Sequence, residues 1–398
     1  MIRVGFVILC TDSRWLGGLH YFKNLLKAVL DLPDREIEPV IIAGQHIEQN
    51  FLDDLPGIEV VRSYLLDRHH ICWMIRKGYL WMFGHDFFLG RFLLQHKIHV
   101  LSHSGLPGMR NGIPTIGWIP DFQHLHLPEM FSTREIEKRD AHYMALARQS
   151  ERVILSSQDT LDDFKRFAPN YVHKARVLSF VARIEPGIDV KTIPEREGLE
   201  KRYDFEGPFF YLPNQIWKHK NHRVVLDAVS ILKKSGREVL VLCSGHEGDY
   251  RNRGHLKVLK NSLQDCQISY NVRFLGVVNR VDMFGLMRHC ISVINPSLFE
   301  GWSTTVEEAK SLGKHVILSD IVVHHEQDPP DALYFDPRDA EALSDILWLR
   351  WGTDGGAWNI EREEAARRLY ETRRTDYAQQ YQRIVMELGI LRSPPFSG

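Results

Sequence analysis

The chain has 398 residues, of which 44% are hydrophobic and 25% charged, with 50 basic and 51 acidic residues. This composition is ordinary for a globular protein and excludes collagen-like, coiled-coil and disordered chains. The net charge of −1 argues against nucleic acid as a partner, because nucleic-acid binders usually carry a basic excess. At about 100–200 residues per domain, the length predicts two domains.

Three features of the sequence predict where the protein works. No apolar run reaches the roughly 20 residues that span a bilayer. The apolar start, residues 4–9, is too short for a signal peptide and indicates a buried strand instead. The five cysteines are scattered and form no Cys-x-x-Cys pair, which is typical of a reducing compartment. We therefore expect a cytoplasmic protein.

Short apolar runs alternate with amphipathic stretches along the chain. Runs of about four to six residues that are apolar on both faces are typical of buried parallel strands, and stretches with helical periodicity predict helices. The predicted strands are 4–9, 40–43, 100–102, 115–119, 153–156, 209–212, 239–243, 272–275, 292–295 and 315–318. The predicted helices include 21–32, 222–235, 281–289, 304–312 and 375–388. This alternation predicts an α/β fold.

The series of strands restarts near Phe209, after a segment (180–206) that contains prolines, glycines and a run of charges and is the best linker candidate. We predict two Rossmann-like domains, each a doubly wound parallel sheet, facing each other across a cleft. The first comprises residues 1–185 with the C-terminal helix 375–398, and the second comprises residues 186–374. Ligands of such sheets bind beyond the carboxyl ends of the strands.

The first motif lies in residues 295–309, where a predicted strand, a turn and a helix follow one another. Thr304 and Glu307 fit a capping box, which gives Glu307 a structural role. Glu300 lies in the loop and Glu308 in the first turn of the helix. Both can point to an anion such as a diphosphate at the helix N-terminus. The alternative is that both glutamates are solvated charges.

A second motif, residues 212–222, joins a strand to a helix through a polar loop that contains Lys218 and Lys220. A lysine in that place can neutralise a phosphate as a point charge. The alternative is a solvated basic loop.

A third motif, Gly17 and Gly18, lies between the first strand and the first predicted helix. Paired glycines let the backbone approach a ligand closely. The Gly-x-Gly-x-x-Gly pattern of dinucleotide sites is absent, and an ordinary turn is the alternative.

Taken together, the three motifs resemble the retaining glycosyltransferases with two Rossmann-like domains, known as GT-B, and specifically group 1, also called family 4. Glu300 and Glu308 match the Glu-x7-Glu signature of that family. The resemblance covers most of the chain and is strongest over residues 209–336. Three segments are similar to a bacterial subgroup that builds surface polysaccharides: 121–132, 217–222 and 324–327.

The resemblance implies that Glu300 binds hydroxyls of the donor sugar, Glu308 binds the nucleotide ribose and Lys220 clamps the diphosphate. The donor site that it implies consists of Gly17, Gly18, Asn214, Gln215, Lys218, Lys220, Glu300, Trp302, Ser303, Thr304, Thr305 and Glu308. GT-B enzymes need no metal for catalysis. The expected co-substrate is therefore a UDP-, GDP- or ADP-sugar, with no metal and no other cofactor.

Two positions depart from the family pattern. Gln215 stands where the family usually has an arginine, and Lys218 is the candidate for the missing charge. Asp121 follows a proline where the family often has a histidine, in a His-Asp or His-Gly pair, so Asp121 or His124 is expected on the acceptor side. With Lys220 and Glu300 they are the candidate catalytic residues. The 20 histidines include close pairs, but none in the His-Glu-x-x-His form of a metal site.

Residues 71–94 are rich in aromatic side chains and include Arg76, Lys77 and Arg91. One interpretation is a helix pair in the core of the first domain. The other is a surface that touches a membrane or a lipid-linked acceptor.

The sequence thus predicts transfer of a sugar, with retention, from a nucleotide sugar to a glycan or lipid-linked acceptor. The subgroup implies a role in bacterial surface polysaccharide or lipopolysaccharide synthesis, with peripheral contact at the inner face of the plasma membrane. Two alternatives stay open. A catalytically silent nucleotide-sugar-binding or scaffold protein would bind the donor without turnover, and an epimerase on the same fold would turn over donor without an acceptor.

Overall fold

The chain forms two compact units in the computed structural model. The model describes residues 1–9, 16–103, 112–182, 192–352 and 359–389. The first unit contains Met1–Phe122, Thr133–Val181 and the chain from Thr372, and the second contains Gln123–Ser132 and Ala182–Glu371. The predicted boundary between residues 185 and 186 lies outside the described residues, as do residues 390–398.

The first unit is built on a parallel sheet. Its strands are β1 (Ile2–Ile8), β2 (Ile37–Ala43), β3 (Glu59–Arg62), β4 (Val100–Ser102), β5 (Thr115–Ile119), β6 (Arg152–Leu155) and β7 (Ala175–Val177). Over the described residues they lie in the order β3-β2-β1-β4-β5-β6-β7. The central strands β1 and β2 are apolar on both faces and pair from Ile2 opposite Ile37 to Ile8 opposite Ala43, as a sheet covered on both sides requires.

The second unit also has a parallel sheet. Its strands are β8 (Phe210–Leu212), β9 (Val241–Cys243), β10 (Val272–Phe274), β11 (Val293–Asn295), β12 (Val316–Ser319) and β13 (Leu333–Phe335). In the part of the unit that is described, their order is β10-β9-β8-β11-β12-β13. Phe210 and Leu212 belong to one hydrophobic cluster and Tyr211, between them, to another. Because successive strand residues point to opposite faces, the sheet has a core on each side.

The helices connect and cover these strands. They are α1 (Leu16–Leu30), α2 (Gln49–Asp53), α3 (Ile71–Phe83), α4 (Phe87–Gln95), α5 (Gln123–His126), α6 (Thr133–Gln149), α7 (Gln158–Phe167), α8 (Arg196–Tyr203), α9 (His222–Lys234), α10 (His255–Asp265), α11 (Arg280–His289), α12 (Thr304–Ser311), α13 (Val322–Gln327), α14 (Ala340–Trp351) and α15 (Ile360–Met386). A short 3₁₀ helix, Lys218–Lys220, precedes α9 and is called the lysine turn below.

The predicted fold class, α/β with two Rossmann-like parallel sheets, is confirmed. All the predicted strands are present, with ends that differ by a few residues. The sequence analysis misses β3, β7 and β13, each of which lies at the edge of its sheet. β3 (EVVR) begins and ends with a charged residue and β7 (ARV) contains one, so neither has the continuous apolar run by which the inner strands are detected. β13 (LYF) is apolar but only three residues long.

Three local predictions need correction. Helix α1 begins at Leu16, so Gly17 and Gly18 lie in its first turn rather than in a loop. The predicted linker 180–206 includes α8, whose Leu199 is fully buried in the core of the second unit, so that part of the segment belongs to the domain. The predicted helix 375–388 is the end of the longer helix α15.

Candidate functional site

The candidate site lies at the carboxyl ends of three neighbouring strands in the second unit. β8, β11 and β12 are adjacent in the sheet. Asn214 follows β8, Asn295 ends β11 and Ser319 ends β12, and all three residues are buried. Parallel strands end at one edge of a sheet, so the fold gathers these polar side chains where open α/β sheets bind their ligands.

A buried polar network joins the strand ends to helix α12. Asn214 Nδ2 donates to Asn295 Oδ1 at 2.9 Å, and Asn214 Oδ1 accepts a hydrogen bond from Thr305 Oγ1 at 2.8 Å. Asn295 Nδ2 donates to Ser303 Oγ at 2.7 Å. A satisfied buried network fixes one arrangement of its members. The side chains of Asn214 and Thr305, both predicted to bind the donor, therefore hold the start of α12 against the sheet.

The lysine turn is fastened to the loop that follows β11. The backbone N–H of Leu298 donates to the carbonyl oxygen of His219 at 2.8 Å. Asn221, directly after the turn, donates from Nδ2 to the carbonyl oxygen of Pro296 at 3.0 Å. Asn221 has a φ of 55°, a left-handed conformation that asparagine tolerates better than most residues. These contacts fix the position of the turn relative to the loop.

Lys220 and Glu300 form an ion pair across this junction. Lys220 Nζ lies 2.6 Å from Glu300 Oε1, and the two side chains are 19% and 8% exposed. Ser297 Oγ donates to the same carboxylate oxygen at 2.6 Å. Burial alone would raise the pKa of Glu300, but the charge of Lys220 and the hydrogen bonds from Lys220 and Ser297 hold it below its usual value. Glu300 is therefore a buried carboxylate at neutral pH.

Two buried histidines near this pair stay neutral. Burial, together with the charge of Lys220, lowers the pKa of His219 to about 3. Burial lowers the pKa of His324 to about 4. His324 Nδ1 lies 2.8 Å from the carbonyl oxygen of Ser319, so this nitrogen carries the proton and donates it. Because both rings are neutral, they add no charge to the Lys220–Glu300 ion pair.

Helix α12 begins differently from the prediction. The sequence predicts Thr304 as the N-cap and Glu307 as its capping-box partner, and this is wrong. The N-cap is Ser303, whose Oγ accepts from the N–H of Val306 at 3.4 Å. Glu307 is fully buried and accepts from Gln327 Nε2 at 3.1 Å. Serine and threonine both suit an N-cap, and the bond that Ser303 accepts from the end of β11 favours the serine.

The backbone and side-chain polar groups of Ser303 all have hydrogen-bond partners within the protein. Gln327 accepts from its N–H at 3.2 Å and donates to its carbonyl oxygen at 2.9 Å. The first N–H groups of a helix have no partner within the helix, and that of Val306 is capped. The amides that α12 offers to a ligand are thus those of Thr304 and Thr305, at the positive end of the helix dipole.

Glu308 has a cation of its own. It is buried and lies at the start of the second turn of α12 instead of in the first, because the helix begins one residue earlier than predicted. Arg280, the first residue of α11, donates from Nη2 to Glu308 Oε1 at 2.6 Å. The Arg280 guanidinium also lies over the ring of Phe284, 4.8 Å from its centroid. The two glutamates of the Glu-x7-Glu signature are therefore paired with cations from two different elements.

Another arginine lies beside the lysine turn. The Arg251 guanidinium is 4.9 Å from the ring centroid of Trp217, and its Nη1 donates to Gln123 Oε1 at 3.2 Å. Asp249 shapes this loop by accepting from the backbone N–H groups of Lys218 at 3.1 Å and Arg251 at 3.0 Å. The structure thus places an arginine near the lysine turn, although position 215 holds glutamine.

The backbone of Asn214 and Gln215 passes very close to the backbone of Gly245. Gly245 has a φ of 148°, and a Cβ there would lie 2.5 Å from the carbonyl oxygen of Asn214, closer than atoms can approach. Only glycine therefore fits beside this segment. Of the remaining predicted donor residues, Gln215 and Trp302 are half-buried and Lys218 is exposed.

The predicted acceptor-side residues lie at the end of β5 and just after it. Asp121 follows β5 in the first unit and is 3.8 Å from Arg139. His124 is buried in α5, which is grouped with the second unit. Gly17 and Gly18 open helix α1 of the first unit. None of these four positions belongs to the strand-end network described above.

Sequence reasoning missed several residues of the site: Arg251, Arg280, Ser297, His324 and Gln327. Arg280 had a detectable signal, because Asn279 is a good N-cap and places Arg280 at a helix start after a strand. His324 and Gln327 lie in a segment that the sequence analysis singled out without giving it a role. Arg251 follows an irregular loop and has no periodic signal.

The described part of the chain contains no group of three or more His, Cys, Asp or Glu side chains placed to hold a metal ion. No described helix is long and apolar enough to cross a membrane.

Comparison with known proteins finds one family model that matches the part of the chain that holds this site. Residues 200–348 match the model of the family described as glycosyl transferases group 1. This span contains Lys220, Glu300 and Glu308. No curated protein matches the chain by sequence.

Solved structures of glycosyltransferases resemble the whole chain. A glycosyltransferase from Rickettsia africae has a TM-score of 0.65 at 16% identity, with 99% of each chain covered. HepE of Anabaena, solved with UDP and glucose, has a TM-score of 0.67 at 15% identity, covering 98% of this chain and all of the other. WaaG, a glycosyltransferase involved in lipopolysaccharide biosynthesis, has 0.58 at 15% identity, covering 94% and 95%. The chain therefore has the GT-B fold.

Proposed function

We propose that the protein is a retaining glycosyltransferase that moves a sugar from a nucleotide sugar to a glycan or lipid-linked acceptor. The observation that carries this proposal is the Lys220–Glu300 ion pair beside the start of α12, inside the segment that matches the family model. A cation, a helix N-terminus and a carboxylate at one edge of a sheet suit a diphosphate joined to a sugar.

Lys220 and the amides of Thr304 and Thr305 would bind the diphosphate. When the bond between the anomeric carbon and the phosphate oxygen breaks, negative charge grows on the departing diphosphate. Donors that are already in place stabilise that charge without reorganising. The ammonium of Lys220 has three N–H groups, so it can bind a phosphate oxygen while one N–H still contacts Glu300.

The two glutamates would bind different parts of the donor. Glu300, ionised and held by Lys220 and Ser297, would accept hydrogen bonds from hydroxyls of the sugar. Glu308, held by Arg280, would accept hydrogen bonds from hydroxyls of the ribose. That HepE was solved with UDP and glucose supports a nucleotide sugar as ligand. Its nucleoside diphosphate would be UDP, GDP or ADP.

The acceptor would be a component of bacterial surface polysaccharide or lipopolysaccharide, met at the inner face of the plasma membrane from the cytoplasm. Asp121 and His124 are the proposed acceptor-side residues. The resemblance of the fold to WaaG supports this choice of acceptor. No metal is assigned a role, because Lys220 and the helix terminus carry the charge stabilisation in this proposal.

A panel of UDP-, GDP- and ADP-sugars tests the proposed function. A donor at 100 times its Kd should stabilise the protein by roughly 2.7 kcal/mol, and the donor found in this way is then incubated with glycan acceptors. We expect a product that keeps the anomeric configuration, measured by NMR, and a rate that EDTA leaves unchanged.

Other outcomes of the panel would contradict the proposal. Binding without any product indicates a silent binding protein, and donor turnover in the absence of acceptor indicates an epimerase. A rate that EDTA abolishes and Mg²⁺ or Mn²⁺ restores would contradict the charge-stabilising role given to Lys220.

A further inference from the structure

The hairpin formed by α3 and α4 in the first unit carries eight large apolar side chains on the outside. The buried residue of α3 is a charged one, Arg76. The large hydrophobic residues of the hairpin that are exposed are Ile71, Met74, Ile75, Trp81, Met82, Phe83, Phe87 and Leu94. Trp81, near the tip, is 86% exposed. A surface helix in water normally shows the reverse arrangement, with its apolar stripe toward the core.

The geometry of this hairpin is fixed from within. Arg76 pairs with Asp86 at 2.7 Å and donates from Nη1 to the carbonyl oxygen of Leu65 at 2.9 Å. Asp86 also caps α4 by accepting from the N–H of Leu89 at 3.2 Å. Gly84, with a φ of 68°, ends α3. The exposed tip, residues 81–84, is therefore held in place by the turn beneath it.

The exposed apolar side chains of the hairpin are not part of the hydrophobic core of the first unit. Helix α4 attaches the hairpin through Leu89 and Leu93, which are buried in a cluster with Leu66 and Ile98. The apolar residues at the tip point away from this attachment, as their exposure shows. An exposed apolar surface of this extent is typical of an interaction site.

The charges around the surface are of one sign. Between Arg68 and Lys97 the one acidic residue in the sequence is Asp86, and it is buried and paired with Arg76. The exposed cations of this segment are Arg68, Lys77, Arg91 and Lys97. A surface that combines apolar side chains with cations matches a bilayer with anionic headgroups. Pairing with a second copy would bring like charges together, because a two-fold interface joins identical patches.

We propose that the α3–α4 hairpin docks the protein on a membrane that contains anionic lipids. Trp81, Met82 and Phe83 enter the boundary between headgroups and acyl chains, and Lys77 and Arg91 contact the headgroups. This inference deepens the proposed function, on which it rests for the reason to dock, because a lipid-linked acceptor lies at such a surface. The docking itself requires no sugar transfer.

Co-sedimentation with vesicles tests the docking. Vesicles of phosphatidylcholine with about 30% phosphatidylglycerol are compared with phosphatidylcholine alone, since anionic lipid supplies the electrostatic attraction. We expect the protein to sediment with the anionic vesicles. The triple variant Trp81→Ser, Met82→Ser, Phe83→Ser should lower the partition coefficient at least tenfold. Lys77→Glu with Arg91→Glu should lower it on anionic vesicles by a similar factor.

A matched control replaces exposed apolar residues of the second unit, Tyr270→Ser with Val277→Ser, and should bind like the unaltered protein. Docking is overturned if the unaltered protein stays in the supernatant with both vesicles, or if the triple variant binds as well as the control. A concentration-dependent dimer that the triple variant abolishes, without vesicle binding, assigns the surface to a second copy instead. Transfer to a soluble acceptor by the triple variant separates a failure of docking from a failure of the proposed function.

Discussion

Two buried ion pairs of nearly equal length have different surroundings. In the α3–α4 hairpin Arg76 lies 2.7 Å from Asp86, with side chains 10% and 1% exposed. In the candidate site Lys220 lies 2.6 Å from Glu300, with side chains 19% and 8% exposed. In the hairpin pair, Arg76 also donates to a backbone carbonyl and Asp86 also caps helix α4. The site pair lies at strand ends beside the open N-terminus of α12. We infer that the first pair serves the fold and that the second is available to a ligand.

The second unit and the hairpin also differ in where their apolar side chains lie. In the second unit both faces of the sheet are covered by hydrophobic clusters. In α3, by contrast, the charged Arg76 is buried and most of the large apolar side chains are exposed. A mutation should therefore act on stability or on function according to which of the two regions it changes.

The largest effect should come from Arg76→Ala, which leaves Asp86 buried without its cation. Removing one partner of a buried pair costs about 3–5 kcal/mol, and we expect a loss of that size in the free energy of unfolding, measured with urea. Trp81→Ser, in the same helix, should change it by no more than about 0.5 kcal/mol because the side chain is exposed. Similar losses in the two variants would contradict the structural role given to the charge.

Lys220→Ala should lower kcat by roughly 10²–10³-fold, the effect of removing one donor aimed at a developing negative charge. Replacing Lys234, an exposed lysine of α9, with alanine is the control and should leave kcat unchanged. Because the variant leaves Glu300 unpaired, its stability should be measured as well. In Lys220→Ala with Glu300→Gln the stability should recover and the rate should not.

A larger loss of rate in Lys218→Ala than in Lys220→Ala would transfer the role to Lys218. Arg251→Ala gives a second comparison, because Arg251 lies over Trp217 beside the lysine turn.

The two glutamates should differ in how they affect nucleoside diphosphate binding. Losing hydrogen bonds to a charged group costs about 1.5–3 kcal/mol, so Glu308→Ala should weaken binding by that amount and raise the donor KM. The ribose does not change during the reaction, so this is a uniform loss of binding. Glu300→Ala should lower kcat and leave nucleoside diphosphate affinity nearly unchanged, since that ligand has no sugar. Calorimetry with the nucleoside diphosphate on both variants tests these roles. A larger loss of affinity in Glu300→Ala than in Glu308→Ala would reverse the assignment.

The sequence was sufficient for the inner strands and for the pair of motifs that meet in the site. Each inner strand has an apolar run, and Lys220 and Glu300 each follow such a strand, so adjacency of β8 and β11 in the sheet brings them together. Their direct contact could not be predicted. It depends on the bonds that Leu298 and Asn221 make between two loops, and no local pattern specifies those.

Two other features could not be predicted because they too depend on contacts that no local pattern specifies. Ser303 and Thr304 are both good caps by propensity, and a hydrogen bond from Asn295, which the intervening loop brings next to Ser303, distinguishes them. The aromatic segment 71–94 had two interpretations. The structure shows that α4 packs on the core through one side while α3 exposes its apolar residues, which periodicity alone does not distinguish.

The smallest effect concerns pH and His324, the fully buried ring near the site pair. Burial lowers its pKa to about 4 in the folded protein, against about 6.5 in the unfolded chain. The unfolded state therefore binds a proton first as the pH falls. The stability that His324 contributes is complete above about pH 6.5 and is lost as the pH falls from there toward 4. At pH 5.5 the loss relative to pH 8 is about 1 kcal/mol.

Replacing His324 with asparagine, which keeps a donor for the carbonyl of Ser319, should remove this part of the pH dependence. The readout is the difference between the unfolding free energies at pH 8 and pH 5.5, so a constant cost of the substitution cancels. His173→Asn is the control, since His173 is exposed, and should leave the difference unchanged. The same slope in His324→Asn and in the unaltered protein would show that the ring does not stay neutral through burial, and it would remove the contrast between the neutral histidines of the site and its ion pair.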